Sequence, residues 1–198
     1  MPAPTSTQSS QRVVTILDAT CRVVIREGAH RLRMASVARE AGVSKALVHY
    51  YFPTRQDLLR AAFEFSETRW EELVATELDA LDNGRARLTR SLAACIDSTP
   101  PHGEYRALWT AMWTGLHGDD ELGPVVRSHY RAWIDVLGER IREGQADGSV
   151  AEQVDPSGAA FRLAALTDGL DSILYLGLAE PPDTHEALEA AIALELDP

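Results

Sequence analysis

The chain of 198 residues carries only two cysteines, Cys21 and Cys95, each within an apolar helical pattern and not in a CxxC pair. That excludes a disulfide framework and a thiolate zinc knuckle, and it points to a reducing, cytoplasmic compartment. No apolar run approaches the ~18 residues that a membrane span requires. The opening MPAPTSTQSSQ has no basic head followed by an apolar stretch, so it is not a secretory signal, and residues 1–11 read as a disordered leader. Nowhere do two alternating segments flank a hairpin turn, which argues against β-structure. GxSxG, a glycine-rich phosphate loop and a carboxylate-plus-histidine motif are all missing, so neither an enzyme nor a cofactor is implied. His102, His117 and His129 show no HxxxH or HxH spacing and read as surface or loop residues rather than metal ligands. Lysine is as scarce as any residue: Lys45 stands alone among 18 arginines.

What is present is an ordinary globular mix, 45% hydrophobic and 25% charged, sufficient to bury a sizeable core. The net charge of −11 is unevenly spread. Residues 1–60 hold nine basic against four acidic side chains, a balance of +5, and the remainder holds ten against 26, a balance of −16. A basic end can meet phosphates, and an acidic remainder repels them and helps orient the basic end toward DNA.

Apolar spacing of three and four predicts helices over 13–25, 34–41, 45–51, 54–81, 85–98, 104–117, 122–147, 155–178 and 184–196. Gly28, Gly42 and Asn83-Gly84 act as stops, Pro53 ends the third helix, and Ser44 and Thr54 are N-caps. The fold class is therefore all-α, about nine helices without a strand. Residues 12–54 form a first domain and 55–198 a second.

The stretch MASVAREAGVSKALVHYYF has the chemistry of a helix-turn-helix. Ala38 is small where two helices cross, Gly42 supplies a left-handed turn, and Val37, Val43 and Val48 fill the seam. Ser44 caps the second helix, whose free N–H groups face a phosphate. Lys45 and His49 then share one outer strip, with Ala46 and Tyr50 beside it, suited to a major groove. One such helix reads few bases. A homodimer on palindromic double-stranded DNA, with half-sites about 34–36 Å apart, follows as the expectation.

Around this motif, ILDATCRVVIREGAH…MASVAREAGVSKALVHYYFPTRQDLLRAAF resembles the N-terminal domain of the TetR family of one-component repressors over residues 12–63. The resemblance implies an all-helical homodimer that binds an operator and releases it when a small molecule enters the second domain. By position, Arg33, Lys45, Ala46, His49, Tyr50, Tyr51 and Arg55 would face DNA. Two departures stand out. Arg33 replaces the family's usual capping Thr, and His49 replaces its usual Tyr, so base preference does not carry over.

Further on, LWTAMWTGLH, YRAW and FRLAALTDGLDSILYLG resemble the branch that includes the choline-responsive BetI-type repressors. That implies a ligand pocket within the helical bundle and a dimer made by the last two helices. Trp109 and Trp113, four apart, share a helix face, and Asp168 sits in a largely apolar helix, where a carboxylate is costly unless paired or hydrated. Aromatic faces plus a carboxylate suit an organic cation. The competing reading makes both tryptophans plain core and pairs Asp168 with Arg162 or another cation. The competing function is an acidic all-helical interaction or scaffold module without sequence-specific DNA binding.

Overall fold

The computed structural model describes residues 6–115, 120 and 122–197. Among these residues the chain is all-α: α1 (Ser6–Glu27), α2 (Met34–Glu40), α3 (Lys45–Tyr51), α4 (Arg55–Leu78), α5 (Gly84–Ile96), α6 (His102–Gly115), α7 (Gly123–Asp147), α8 (Pro156–Tyr175) and α9 (Pro181–Leu196), with one short 3-10 turn at Ala29–Arg31.

Several ends differ from the periodicity reading: α4 stops at Leu78 rather than 81 and α8 at Tyr175 rather than 178, and two starts come early. Helix α1 begins at Ser6, so residues 6–11 of the expected leader are helical, and residues 1–5 lie outside the described residues. After Pro4 that segment holds no proline or glycine, and serine and glutamine cost a helix only tenths of a kcal/mol each. Helix α9 starts three residues early because proline is at home in a first turn, where its missing N–H has no partner to lose. There the Glu180 N–H donates to Asp183 Oδ2 at 3.2 Å.

By packing, the chain divides into two compact units. One comprises residues 1–70 and 107–126, the other residues 71–106 and 127–198. This cut falls within α4, not at the expected functional boundary after residue 54.

The first unit is built on α1, which buries Ile16, Ala19, Val23 and Val24 completely. Leu58, Leu59, Ala62 and Phe63 of α4 join them, as do Val37 of α2, Val48 of α3, and Leu108 and Met112 of α6. Fully burying one such leucine is worth about 1.5–3 kcal/mol. Burial and the nearby Asp18 charge push the Cys21 thiol up to about 12, so it is an inert core group. Outside the core, Arg22 and Arg26 of α1 grip Glu40 of α2 at 3.0 and 3.1 Å. Their hydrogen bonds, Arg22's first, hold the Glu40 carboxyl below its usual range.

The second unit interleaves Leu88, Leu92 and Ile96 of α5 with Leu137 and Ile141 of α7, Leu163 and Ala164 of α8, and Leu188, Ile192 and Leu196 of α9. Helix α5 opens against the end of α7. The Asn83 side chain accepts from Ala86 N at 2.8 Å, and Gly84 N donates to Asp147 Oδ2 at 2.7 Å. The approach is so close that a Cβ on Gly84 would lie 2.1 Å from Gly144 N. His102 corrects the surface reading. It is buried, with Nε2 3.1 Å from Glu77 Oε1 and 3.1 Å from an Arg90 nitrogen. These two partners offset the cost of burying its ring, and nothing in its local spacing shows this.

Candidate nucleic-acid interface and ligand-binding cluster

The link between α2 and α3 follows from one glycine. Gly42 has φ +65° and open space where a Cβ would point, so it turns the chain without strain. Val43 N then donates to Ala38 O at 2.9 Å and Gly42 N to Arg39 O at 3.3 Å, the paired bonds that close a helix at a left-handed residue. Ser44 follows in an extended conformation, and its Oγ accepts from Leu47 N at 3.1 Å. That caps α3 as its sequence requires. Val37 and Val48 are fully buried in the seam, and Val43 is partly buried against it.

With Val48 inside, the outer face of α3 is fixed. Ser44, Lys45, Ala46, His49 and Tyr50 are all exposed, Tyr50 at 77%. Tyr51 is half-buried, its ring edge-on to Tyr50 with centroids 5.1 Å apart. Arg33 is exposed and begins α2 without a side-chain cap, as replacement of a capping threonine implies. Arg55 opens α4 and donates to the Ala29 carbonyl at 2.5 Å, which ties it to the turn before α2. Thr54 and Asp57 cap the same helix reciprocally, at 3.1 Å from Thr54 N to Asp57 Oδ2 and 3.0 Å from Asp57 N to Thr54 Oγ1. This face can offer a cation, an imidazole and a phenol to base edges, with arginines flanking it.

The three expected ligand residues fall in different units. Trp109 belongs to the first, where it is partly buried against the core and stacks on Phe63 with centroids 5.5 Å apart. Trp113, also there, is 53% exposed. Asp168 belongs to the second. Arg162 is not its partner, because that side chain makes a two-pronged bridge to Glu195 at 2.7 and 2.6 Å. Instead the Tyr130 hydroxyl donates a short hydrogen bond to Asp168 Oδ2, and Trp133 meets the Tyr130 ring edge-on at 5.5 Å. Burial raises the Asp168 carboxyl above its usual range; the Tyr130 hydrogen bond opposes this and the Asp171 charge adds to it. Asp171 is itself bridged by Arg106 at 2.6 Å. Sequence reasoning missed Tyr130 and Trp133, although they stand three apart on one helix face. Of the histidines without metal spacing, His117 lies outside the described residues. No group of three metal-ligating side chains occurs among the described residues.

Comparison with known proteins agrees with both halves of the sequence. Residues 16–62 match the family described as bacterial regulatory proteins, tetR family, and residues 84–197 match the C-terminal domain of BetI-type transcriptional repressors. The chain is 31% identical over 182 residues to the HTH-type transcriptional regulator BetI of Burkholderia mallei, covering 91% of this chain and 89% of that one. A TetR-family transcriptional regulator from Rhodococcus sp. superposes with a TM-score of 0.84 at 28% identity, over 94% of this chain and 99% of that one. A transcriptional regulator from Saccharomonospora viridis, solved in complex with choline, gives 0.82 at 28% identity, over 93% and 96%.

Proposed function

The chain belongs to the tetR family of bacterial regulatory proteins, with a BetI-type C-terminal part, and on that premise we propose that it is a ligand-responsive repressor of transcription. It binds a palindromic operator as a homodimer in the cytoplasm and lets go when a small organic cation binds. A transcriptional regulator rather than an enzyme is what the family establishes, and the scaffold alternative is set aside with it.

The observation that carries the reading is the outer face of α3. A helix of seven residues, capped by Ser44 and anchored by buried Val48, presents Lys45, Ala46, His49 and Tyr50 outward together. Lys45 and His49 offer donors to guanine or adenine edges, and Arg33, Tyr51 and Arg55 hold the backbone on either side. A gel shift with the DNA adjoining its own gene tests this. Retardation that competing mixed-sequence DNA does not abolish is the expected result, and equal competition by both overturns it.

The proposed effector is an organic cation with Asp168 as its counter-charge. A carboxylate half out of water, held by a phenol whose own ring meets an indole, is costly empty and well matched to a quaternary ammonium or amine. The choline complex of the Saccharomonospora viridis relative supports the same class. Trp109 and Trp113 are proposed as ligand residues in their own right, to be tested by substitution. Control is by population shift: about a hundredfold preference for the form that misses its operator supplies about 2.7 kcal/mol. Choline titrated against tryptophan fluorescence should saturate with the parent and fail with Asp168→Asn. Equal binding by both overturns the cation reading.

A dimer through α8 and α9 completes the proposal. Phe161, Ala165, Gly169, Ser172, Ile173 and Leu176 form an exposed strip along α8 and just beyond it, at spacings of three and four. Ala187, Ala190 and Leu194 form another on α9, with Leu194 at 79% exposure. Small residues allow close helix approach, and an isologous pair would cover both strips.

A further inference from the structure

Most arginines with described contacts in this acidic protein are matched to a carboxylate: Arg22, Arg26, Arg69, Arg85, Arg87, Arg90, Arg106, Arg140, Arg142 and Arg162 all form ion pairs. Of the arginines outside this set, three lie together. Arg31, Arg33 and Arg39 form no ion pair among the described residues, and all three are exposed. They line one open cleft of about 910 Å³ in the first unit, together with Arg26 and Arg55 and a single acid, Glu27. Glu27 is engaged by Arg26 at 3.1 Å, so the other guanidiniums face the cleft without a counter-charge.

The local structure explains why they gather. The 3-10 turn at Ala29–Arg31 brings Arg31 round to the start of α2. Arg33 opens that helix and Arg39 lies near its end, and both line the cleft. Arg55 is drawn in from α4 by its bond to the Ala29 carbonyl. The Glu40 clamp holds α1 against α2 beside them. Like charges repel, so an unmatched cluster of this kind lowers stability unless an anion visits it. Guanidinium forks fit phosphate oxygens in pairs, and a wide open cleft suits a polymer backbone better than one enclosed ion.

We propose that this cleft is a backbone clamp for duplex DNA, with Arg31 and Arg39 gripping phosphates beyond the stretch that α3 reads. The inference rests on the DNA-binding reading and adds two residues to it. Because phosphates carry no sequence, the clamp strengthens binding to every duplex alike and leaves base preference to Lys45 and His49.

The test measures the affinity of the full-length protein for two duplexes of equal length across a range of salt, by fluorescence anisotropy. One duplex comes from beside its own gene, the other has mixed sequence. The parent is compared with Arg31→Gln/Arg39→Gln, whose substitutions break no ion pair and leave the helical circular dichroism intact. The expected result is a slope of log affinity against log salt that falls by about 1.8 for each protomer bound. The ratio of the two affinities stays unchanged. A slope equal to the parent's overturns the clamp while leaving operator binding standing. A parent that binds neither duplex overturns both readings. Inorganic phosphate serves as the second probe. If it binds the parent tightly and the double variant weakly while the DNA slopes are equal, the cleft takes a free phosphate, and the backbone assignment is wrong.

Discussion

Tyr130 donates its phenolic hydrogen to Asp168 across the α7–α8 packing of the second unit. The bond holds a charge in a place that burial would otherwise neutralise, since desolvation raises the Asp168 carboxyl and this hydrogen bond opposes the rise. A carboxyl whose folded pKa is raised stabilises the fold most below its unfolded pKa, and that contribution is lost as pH rises through the folded value. At neutral pH the charge on Asp168 therefore costs stability. Asp168→Asn should melt higher than the parent at pH 7, with the gap closing as the medium is acidified toward the unfolded value of about 3.9. The relief is kept small by the solvent the group still meets, so the expected rise in melting temperature is a small one. Melting curves from pH 4 to 8 measure it. A parent that gains stability over the variant toward pH 7 contradicts the sign.

Two kinds of glycine can be told apart by substitution. At Gly84 a Cβ would meet three backbone atoms of α7, Gly144 N at 2.1 Å, Gly144 Cα at 2.6 Å and Arg140 O at 2.7 Å. None of these can swing away, so Gly84→Ala must spread α5 from α7 and should cost about 3 kcal/mol or more. At Gly42 there is open space but a left-handed backbone, so Gly42→Ala should cost only about 1–2 kcal/mol. Urea denaturation of both variants gives the comparison, and a Gly42 loss exceeding that at Gly84 contradicts it.

The helix-turn-helix was legible because its determinants are local. Gly42, Ser44 and the valines act on neighbours within a few residues, and the structure places each where spacing predicted. The ligand cluster was only half legible. An isolated Asp168 in an apolar helix signals a cost, but its partner Tyr130 is 38 residues away and no periodicity connects the two. Buried His102 was misread for the same reason: its partners Glu77 and Arg90 lie on two other helices. The reach of α1 back to Ser6 was invisible because its first turns carry no apolar stripe. The unmatched arginines could not be seen in composition, since which arginines find carboxylates is decided by tertiary packing.

Ser44 and Lys45 are neighbours with separable roles. Ser44→Ala removes the acceptor for Leu47 N and should cost about 0.5–2 kcal/mol of stability, with a loss of affinity for all DNA as α3 frays. Lys45→Ala leaves the cap intact and should hardly change the melting temperature. It should weaken operator binding by about 1–3 kcal/mol while mixed-sequence binding falls much less. Anisotropy titrations beside melting curves separate the two. Equal losses on both duplexes for Lys45→Ala would make it a backbone contact instead of a base reader.

The last prediction concerns the strips on α8 and α9. Phe161 is 63% exposed and Leu194 79%, while Leu163, Leu188 and Ile192 on the same helices are buried in the second unit's core. Charges at the two exposed positions therefore leave the protomer's own packing untouched. In a two-fold interface each substitution appears twice, and like charges brought together at a desolvated surface repel. Phe161→Glu/Leu194→Glu should sediment as a monomer at micromolar concentration where the parent sediments as a dimer. Its melting should lose its dependence on protein concentration. Operator affinity should fall steeply, because one α3 reads one half-site, whereas binding to an isolated half-site should change little. A double variant that remains dimeric would move the interface off α8 and α9. One that becomes monomeric yet binds the full operator as tightly as the parent would mean that recognition needs only a single protomer.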